Sequence, residues 1–262
     1  MAAGMLIAGR ADAPSVVLIH GLAGSHHVWD RVLPLIERNT RTYALNLAGS
    51  NSIERDADQA AELIPARAVL VGHSRGGLVA TAVAERHPRL AKTLILICPP
   101  WIRESRLSAK RPIERAFSAP GIGDLIWVTA TPRTHRKALG SAFASGTPVP
   151  DWSVEDLRAT GRRRLAAASR AIDTYLGVAP LAQRLAALPV PAELLFGEHD
   201  ARVACPPSAM LAHTLLTRVG HTPPWEAPDR IADVIASAAR RDHEVLREQV
   251  GLVSASAQES QR

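Results

Sequence analysis

One short segment constrains the fold of this chain more than any other, and it reads Gly72-His73-Ser74-Arg75-Gly76-Gly77. It follows an apolar, β-branched run at 68–71 and precedes a stretch of helix-forming residues at 78–86. A strand, a G-x-S-x-G turn and a helix in that order are typical of a nucleophile elbow. The turn exposes the serine hydroxyl, and glycines without Cβ atoms allow strand and helix to pass close together. The pattern predicts that Ser74 is a nucleophile.

Other polar residues also follow predicted strands. His20-Gly21 comes after the apolar run 16–19, Asp200 follows the run 192–196, and His221 follows the run 215–219. Because open α/β sheets bind ligands at the carboxyl ends of their strands, we expect these side chains to gather around Ser74. The chain order of the reactive types is Ser, Asp, His.

Together these motifs resemble those of the α/β-hydrolase superfamily, in the branch with a helical cap, over roughly residues 5 to 245. The resemblance implies that Ser74 attacks an acyl carbon, His221 takes its proton and Asp200 orients the histidine. It also implies an oxyanion hole formed by the backbone N–H groups of Leu22 and Arg75. Glu198 is the rival to Asp200 for the acidic position.

The alternation of strand and helix patterns predicts an α/β fold with a doubly wound, mostly parallel sheet and a helical cap insertion. We expect the core domain at 1–98 and 180–253, the cap at 99–179 and a disordered tail at 254–262. About ten residues precede the first buried strand, so one strand of the hairpin common in the family is expected to be missing. A helix is also predicted over 207–213.

The predicted cap contains three tryptophans, Trp101, Trp127 and Trp152, which we expect to divide between the cap core and a substrate-binding pocket. Residues 101–180 also carry six more basic than acidic side chains, which equals the net charge of the whole chain. Two interpretations stay open. The excess is either a solvated helix face or a positive field that attracts anionic substrates.

Arg75 is unusual because the elbow resembles the H-D-R-G-G turn of haloacetate dehalogenases and epoxide hydrolases, with serine in place of aspartate. A carboxylate nucleophile forms an alkyl-enzyme ester, whereas a serine with a histidine base performs acyl transfer. The sequence therefore argues against both of those activities. The Arg75 side chain remains a candidate for binding a substrate carboxylate.

Composition limits the other functions that this chain of 262 residues could have. The pI is near 10.1, but no nucleic-acid-binding module accompanies the basic residues. The sequence has no apolar run of about 18 residues and no signal peptide pattern, so we expect a cytoplasmic protein without membrane contact. No metal-ligand spacing or phosphate-binding loop is evident, so we expect no metal and no cofactor.

These observations predict a serine hydrolase that cleaves carboxylic esters or lactones through an acyl-enzyme on Ser74. Its partner would be a small-molecule acyl substrate, for which an anionic group is one hypothesis. The same triad would also serve a thioesterase, an amidase or aminopeptidase, a carbon–carbon bond hydrolase or a perhydrolase. A non-catalytic ligand-binding protein of the same fold is the alternative from a different class.

Overall fold

A computed structural model of the chain describes residues 4–108, 119 and 121–241. Its centre is a seven-stranded sheet of order β1-β3-β2-β4-β5-β6-β7. The strands are β1 (Gly4–Gly9), β2 (Ser15–Ile19), β3 (Arg41–Asn46), β4 (Ala68–His73), β5 (Ala91–Ile97), β6 (Ala192–Gly197) and β7 (Thr214–Leu216). Neighbouring strands are parallel except for β1, which pairs antiparallel with β3.

The central strands are almost entirely apolar because helices cover both faces of the sheet. All six residues of β4 are buried, and so are four of the five residues of β2. The prediction of a doubly wound, mostly parallel sheet is confirmed. Only β1 precedes β2 in the described residues, so a single antiparallel strand stands where the family often has a hairpin.

The helices form a layer on each face of the sheet and an insertion between β5 and β6. They are α1 (Leu33–Ile36), α2 (Ile53–Leu63), α3 (Arg75–Arg86), α4 (Ile122–Thr129), α5 (Pro132–Leu139), α6 (Asp151–Thr160), α7 (Arg162–Val178), α8 (Leu181–Ala186), α9 (Pro223–Glu226) and α10 (228–241). One hydrophobic cluster packs α2, α3, α7 and α8 against the sheet, and a second packs α1 and α10 against the opposite face. Residues 242–249 of the predicted last helix and the predicted tail at 254–262 lie outside the described residues.

The order of the strands creates a topological switch point beside β2. The chain passes from β2 to β3 on one side and then to β4 on the other side. Ligand sites in open α/β sheets lie in the crevice at the carboxyl ends of such strands. The loop after β2 and the turn after β4 therefore meet at the position expected for a binding site.

The insertion is helical in its described part, with α4 to α7 between β5 and β6. Hydrogen bonds attach it to the core. The Ser25 hydroxyl donates to Asp156 on α6 at 2.6 Å, and Arg75 Nε donates to the carbonyl of Ala168 on α7 at 3.3 Å. None of the helices in the described ranges has the length and hydropathy needed to cross a bilayer.

The prediction of a helix over 207–213 is wrong. The N–H groups of Met210 and Leu211 both bond the Pro207 carbonyl, which makes one turn, and the chain then extends into β7 at Thr214. Leu211 is buried and anchors this loop. Because so few residues connect the turn to β7, the chain has no room for a second helical turn.

Candidate active site

Ser74 occupies the strained turn between β4 and α3. Its φ is +52°, a conformation that residues with a side chain rarely adopt. Its N–H donates to the Ile97 carbonyl of β5 at 2.7 Å, which holds the turn against the sheet. A Cβ on Gly72 would lie 2.4 Å from the Gly76 carbonyl oxygen, and one on Gly76 would lie 2.3 Å from the Ile19 carbonyl oxygen. The glycines are required because backbone segments cross at these points.

The structure brings Ser74, His221 and Asp200 into one chain of hydrogen bonds. Ser74 Oγ lies 2.9 Å from His221 Nε2, and His221 Nδ1 lies 2.7 Å from Asp200 Oδ2. A carboxylate only accepts, so His221 Nδ1 carries the proton and donates it to Asp200. In the neutral ring Nε2 is then the acceptor for the Ser74 hydroxyl. This tautomer is the one that a general base needs.

Asp200 is buried and held by the loop that follows it. Its Oδ1 accepts from the backbone N–H groups of Arg202 at 2.7 Å and Val203 at 2.9 Å. Burial raises the pKa of Asp200, but the attraction of His221 and these hydrogen bonds outweigh burial and lower the pKa overall. The carboxylate form therefore predominates. Glu198, the rival, instead accepts from the Arg218 N–H at 2.8 Å.

Two further histidines support the site without titrating near neutral pH. His20 Nδ1 donates to the Gly21 carbonyl at 2.8 Å, and His20 Nε2 accepts from the Leu47 N–H at 3.0 Å. His73 Nε2 donates to the His221 carbonyl at 2.7 Å. Burial lowers the pKa of His20 to about 4 and that of His73 to about 3. Both rings are neutral and shape the loops beside Ser74.

The predicted oxyanion hole lies where the loop after β2 meets the elbow. A Cβ on Gly21 would lie 3.2 Å from Ser74 Cβ, so this loop passes directly beside Ser74. Leu22 lines the same cavity as Ser74. Arg75 is the first residue of α3, where backbone N–H groups have no carbonyl partner one turn earlier. The two N–H groups remain the proposed donors.

The Arg75 side chain does not face the site, which corrects the expectation that it binds a substrate carboxylate. Its guanidinium forms a short ion pair with Asp56 of α2, and the two side chains are only 6% and 1% exposed. Asp56 also accepts from the Ser50 N–H at 2.9 Å. The charge of Arg75 is therefore neutralised inside the core.

The cavity above Ser74, here called the Ser74 cavity, has a volume of about 110 Å³. The insertion supplies much of its wall through Leu139, Phe143 and Trp152. Trp127 lines a neighbouring cavity instead. Trp101 lines neither cavity: it packs in the core, and its Nε1 donates to the Ala204 carbonyl at 2.7 Å. The prediction that Trp101 binds substrate is therefore corrected, and Trp101 is a core residue.

Contacts that sequence reasoning missed connect the insertion to the loop of His221. The Thr222 hydroxyl donates to the Ala142 carbonyl at 2.8 Å, and Glu226 accepts from the N–H groups of Ala144 at 2.6 Å and Gly220 at 3.2 Å. These contacts hold the wall of the cavity over His221. Their partners are backbone groups, which every residue type offers, so no residue pattern identifies them.

The sequence also gave no metal-ligand spacing, yet His26, His27 and Asp30 have side-chain atoms within 4.8 Å of one another. Hydrogen bonds account for this arrangement. His27 Nδ1 lies 2.9 Å from Asp30 Oδ2, and His26 Nδ1 lies 3.1 Å from Asn46 Oδ1. Asn46 Oδ1 also accepts from the His26 N–H at 2.8 Å and so shapes this turn.

Fold and site together define a class of protein: a doubly wound α/β chain with a Ser-His-Asp arrangement on an elbow at the switch point of its sheet. A model of the alpha/beta hydrolase family matches residues 16–234. The chain belongs to that family.

Among curated proteins, the chain is similar to a pimeloyl-(acyl-carrier protein) methyl ester esterase of Neisseria meningitidis, with 30% identity over 204 residues. The alignment covers 71% of this chain and 62% of that relative, so the chain spans about six-tenths of the relative's length. A protein of the same name from Klebsiella pneumoniae is 29% identical over 222 residues, covering 74% of this chain and 78% of the relative.

Among solved structures, a haloalkane dehalogenase from Bradyrhizobium elkani superposes with a TM-score of 0.75. The superposition covers 93% of this chain and 95% of the dehalogenase at 21% sequence identity. At this identity the likeness shows a shared fold.

Proposed function

We propose that this protein is a serine hydrolase that cleaves carboxylic esters, including cyclic esters such as lactones, through an acyl-enzyme on Ser74. The observation that carries the proposal is the continuous hydrogen-bond chain from Ser74 Oγ through His221 to Asp200, with distances of 2.9 Å and 2.7 Å. The names of the relatives, both methyl ester esterases, favour esters over the thioester, amide and carbon–carbon substrates that the same triad could serve.

The mechanism follows from the tautomer of His221. As Ser74 Oγ attacks the ester carbonyl carbon, its proton passes to His221 Nε2, and the resulting imidazolium is stabilised by Asp200. The N–H groups of Leu22 and Arg75 stabilise the negative charge on the carbonyl oxygen. His221 then gives the proton to the departing alcohol. Water, activated by His221, releases the acid and restores Ser74.

The wall of the Ser74 cavity selects the substrate in this proposal. We retain Trp152 as a substrate-binding residue because it lines the cavity beside Ser74 and packs edge-on against Trp225, with ring centroids 5.3 Å apart. We also propose that the insertion at 99–179 acts as a cap. In support, residues from this segment and the His221 loop together enclose the Ser74 cavity.

A fluorophosphonate probe and a panel of substrates test the proposal. The purified protein should label at Ser74 and hydrolyse acyl esters or lactones faster than matched thioesters and amides. The Ser74→Ala variant should neither label nor turn over. Absence of both labelling and turnover in the native protein would contradict the proposal and favour the ligand-binding alternative, because a fluorophosphonate reacts only with an activated serine.

A further inference from the structure

A second cavity adjoins the Ser74 cavity and takes no part in the chemistry proposed above. It is defined here as the His135 cavity and measures about 140 Å³. The residues that line both cavities are Leu22, Ala23, Arg106, Ser108, Leu139 and Arg202. A cavity of about 150 Å³ holds a benzene molecule. The His135 cavity therefore has room for a substrate arm of about six carbon atoms.

The wall of this cavity contains a buried histidine whose ring nitrogens lack partners. His135 of α5 is 3% exposed, and neither Nδ1 nor Nε2 has a hydrogen-bond partner within the described part of the chain. Burial and, secondarily, the nearby charge of Arg158 lower the pKa of His135, which favours the neutral ring. A buried polar group without a partner is unfavourable because it has given up its hydrogen bonds to water. A ligand atom that bonds to His135 would remove this cost.

The remaining polar groups of the wall indicate which ligand fits. Three arginines line the cavity: Arg106, Arg162 and Arg202. The described lining residues include no carboxylate. Arg106 pairs with Asp173 and also donates to Ser169 of the wall at 2.6 Å, and Arg162 pairs with Asp124. The two aspartates lie outside the lining and are about half exposed. The wall is therefore rich in donors and poor in acceptors. A carboxylate, which only accepts, complements such a wall.

The apolar part of the wall suits the chain that would carry this carboxylate. Trp127 lies against His135 with ring centroids 4.9 Å apart, and Leu157 and Leu165 line the same cavity. These side chains offer contact to methylene groups rather than to a second charged group.

We propose that the His135 cavity binds the free carboxylate end of a dicarboxylic acid of about six carbons, whose other carboxyl group is esterified and lies at Ser74. This inference rests on the proposed function, since it names the substrate class of the same site. His135 and the three arginines would recognise the carboxylate, and the wall shared by the two cavities would surround the methylene chain between them.

The kinetic test compares three p-nitrophenyl esters: the hemiester of adipic acid, its methyl-capped form and the hexanoate. The wild type should favour the hemiester over both neutral esters by about tenfold in kcat/KM, which corresponds to ~1.4 kcal/mol. His135→Leu and Arg162→Met should each reduce this ratio towards one. His135→Gln, which keeps a donor and an acceptor, should retain part of it and also serves if His135→Leu does not fold.

Arg163→Met is the matched control, because Arg163 is the exposed neighbour of Arg162 on α7 and lines neither cavity. It should keep both the ratio and the basal activity. A ratio that disappears above roughly 0.1 M salt would indicate long-range attraction by the basic insertion and would overturn the proposal. A wild-type ratio near one at low salt, or a ratio unchanged in both His135→Leu and Arg162→Met, would also overturn it.

Calorimetric titration of adipate into the Ser74→Ala variant separates this inference from the proposed function. That variant should bind adipate, and adding His135→Leu should weaken binding by about tenfold. If the native protein cleaves no ester but adipate binds in a His135-dependent manner, the proposed function fails and the carboxylate site stands. If neutral esters are cleaved but adipate does not bind, the carboxylate site fails alone.

Discussion

The Ser74 hydroxyl lies at the end of a series of hydrogen bonds in which each group orients the next. Backbone N–H groups of Arg202 and Val203 hold Asp200, and Asp200 determines the tautomer of His221. His73 holds the backbone of His221 at its carbonyl oxygen. The Ser74 side chain is thus positioned by residues from the loop after β6, the loop after β7 and the end of β4. In the proposed mechanism these groups act as a unit, so the loss of any one should remove most of the activity.

At the residue scale we expect Ser74→Ala and His221→Ala each to lower kcat by about 10⁴–10⁶-fold, with the double variant little worse than either. Asp200→Asn should cause a smaller but still large loss, because the amide no longer fixes the tautomer. Steady-state kinetics on one ester will measure all four. Glu198→Gln is the control and should match the wild type. Near-normal activity of Asp200→Asn would contradict the assignment of Asp200.

At the scale of elements, the position of α3 determines the geometry of the site. Its first turn crosses the end of β2 at Gly76, and its first residue, Arg75, pairs with Asp56 on α2. The same arginine reaches Ala168 on α7 of the insertion. A helix that starts beside Ser74 thus also joins two layers, so damage to its contacts should affect stability and activity together.

Replacing Arg75 tests its structural role. We expect Arg75→Met to lower the free energy of unfolding by about 3–5 kcal/mol, because Asp56 would remain buried without a partner. Urea denaturation measures this loss. Arg86→Met removes a matched but exposed pair with Asp58 and should cost less than about 1 kcal/mol. Equal effects of the two substitutions would show that burial of the Arg75 pair contributes nothing.

The elbow glycine offers a second test at this scale. Gly76→Ala places a methyl group against the Ile19 carbonyl oxygen, and we expect a loss of at least about 1–3 kcal/mol together with most of the activity. Gly140→Ala is the control, since a Cβ there meets nothing within 4 Å. Thermal unfolding and kcat should be measured for both. Full activity of Gly76→Ala would mean that the elbow can relax without displacing Ser74.

The whole molecule responds to pH through histidines that it keeps neutral. His20 and His73 have pKa values of about 4 and about 3, both below the ordinary 6.5 because they are buried. At pH values between the folded pKa of each histidine and 6.5, the unfolded chain binds a proton at that histidine and the folded chain does not. Stability is therefore fully present above about pH 6.5 and is lost as the pH falls towards 4.

We expect the free energy of unfolding to fall between pH 6.5 and 5 by up to about 1.4 kcal/mol per pH unit for each of these histidines. Urea denaturation at several pH values measures the slope. His73→Gln should be less stable at neutral pH but show a shallower slope, whereas His199→Gln, at an exposed position, should keep the native slope. An unchanged slope in His73→Gln would contradict the assignment.

The sequence alone determined the fold class and where Ser74, Asp200 and His221 would meet. This was possible because apolar strand patterns and elbow glycines follow from local geometry, and parallel strands end at one edge of a sheet. The direction of the Arg75 side chain, the burial of Trp101 and the exposure of Trp152 to the cavity were decided by the tertiary structure. A side chain's direction depends on which partner packs against it, and Asp56 lies nineteen residues from Arg75. The burial of His135 without a hydrogen-bond partner among the described residues was likewise decided by the tertiary structure, since an exposed and a buried histidine look alike in a sequence.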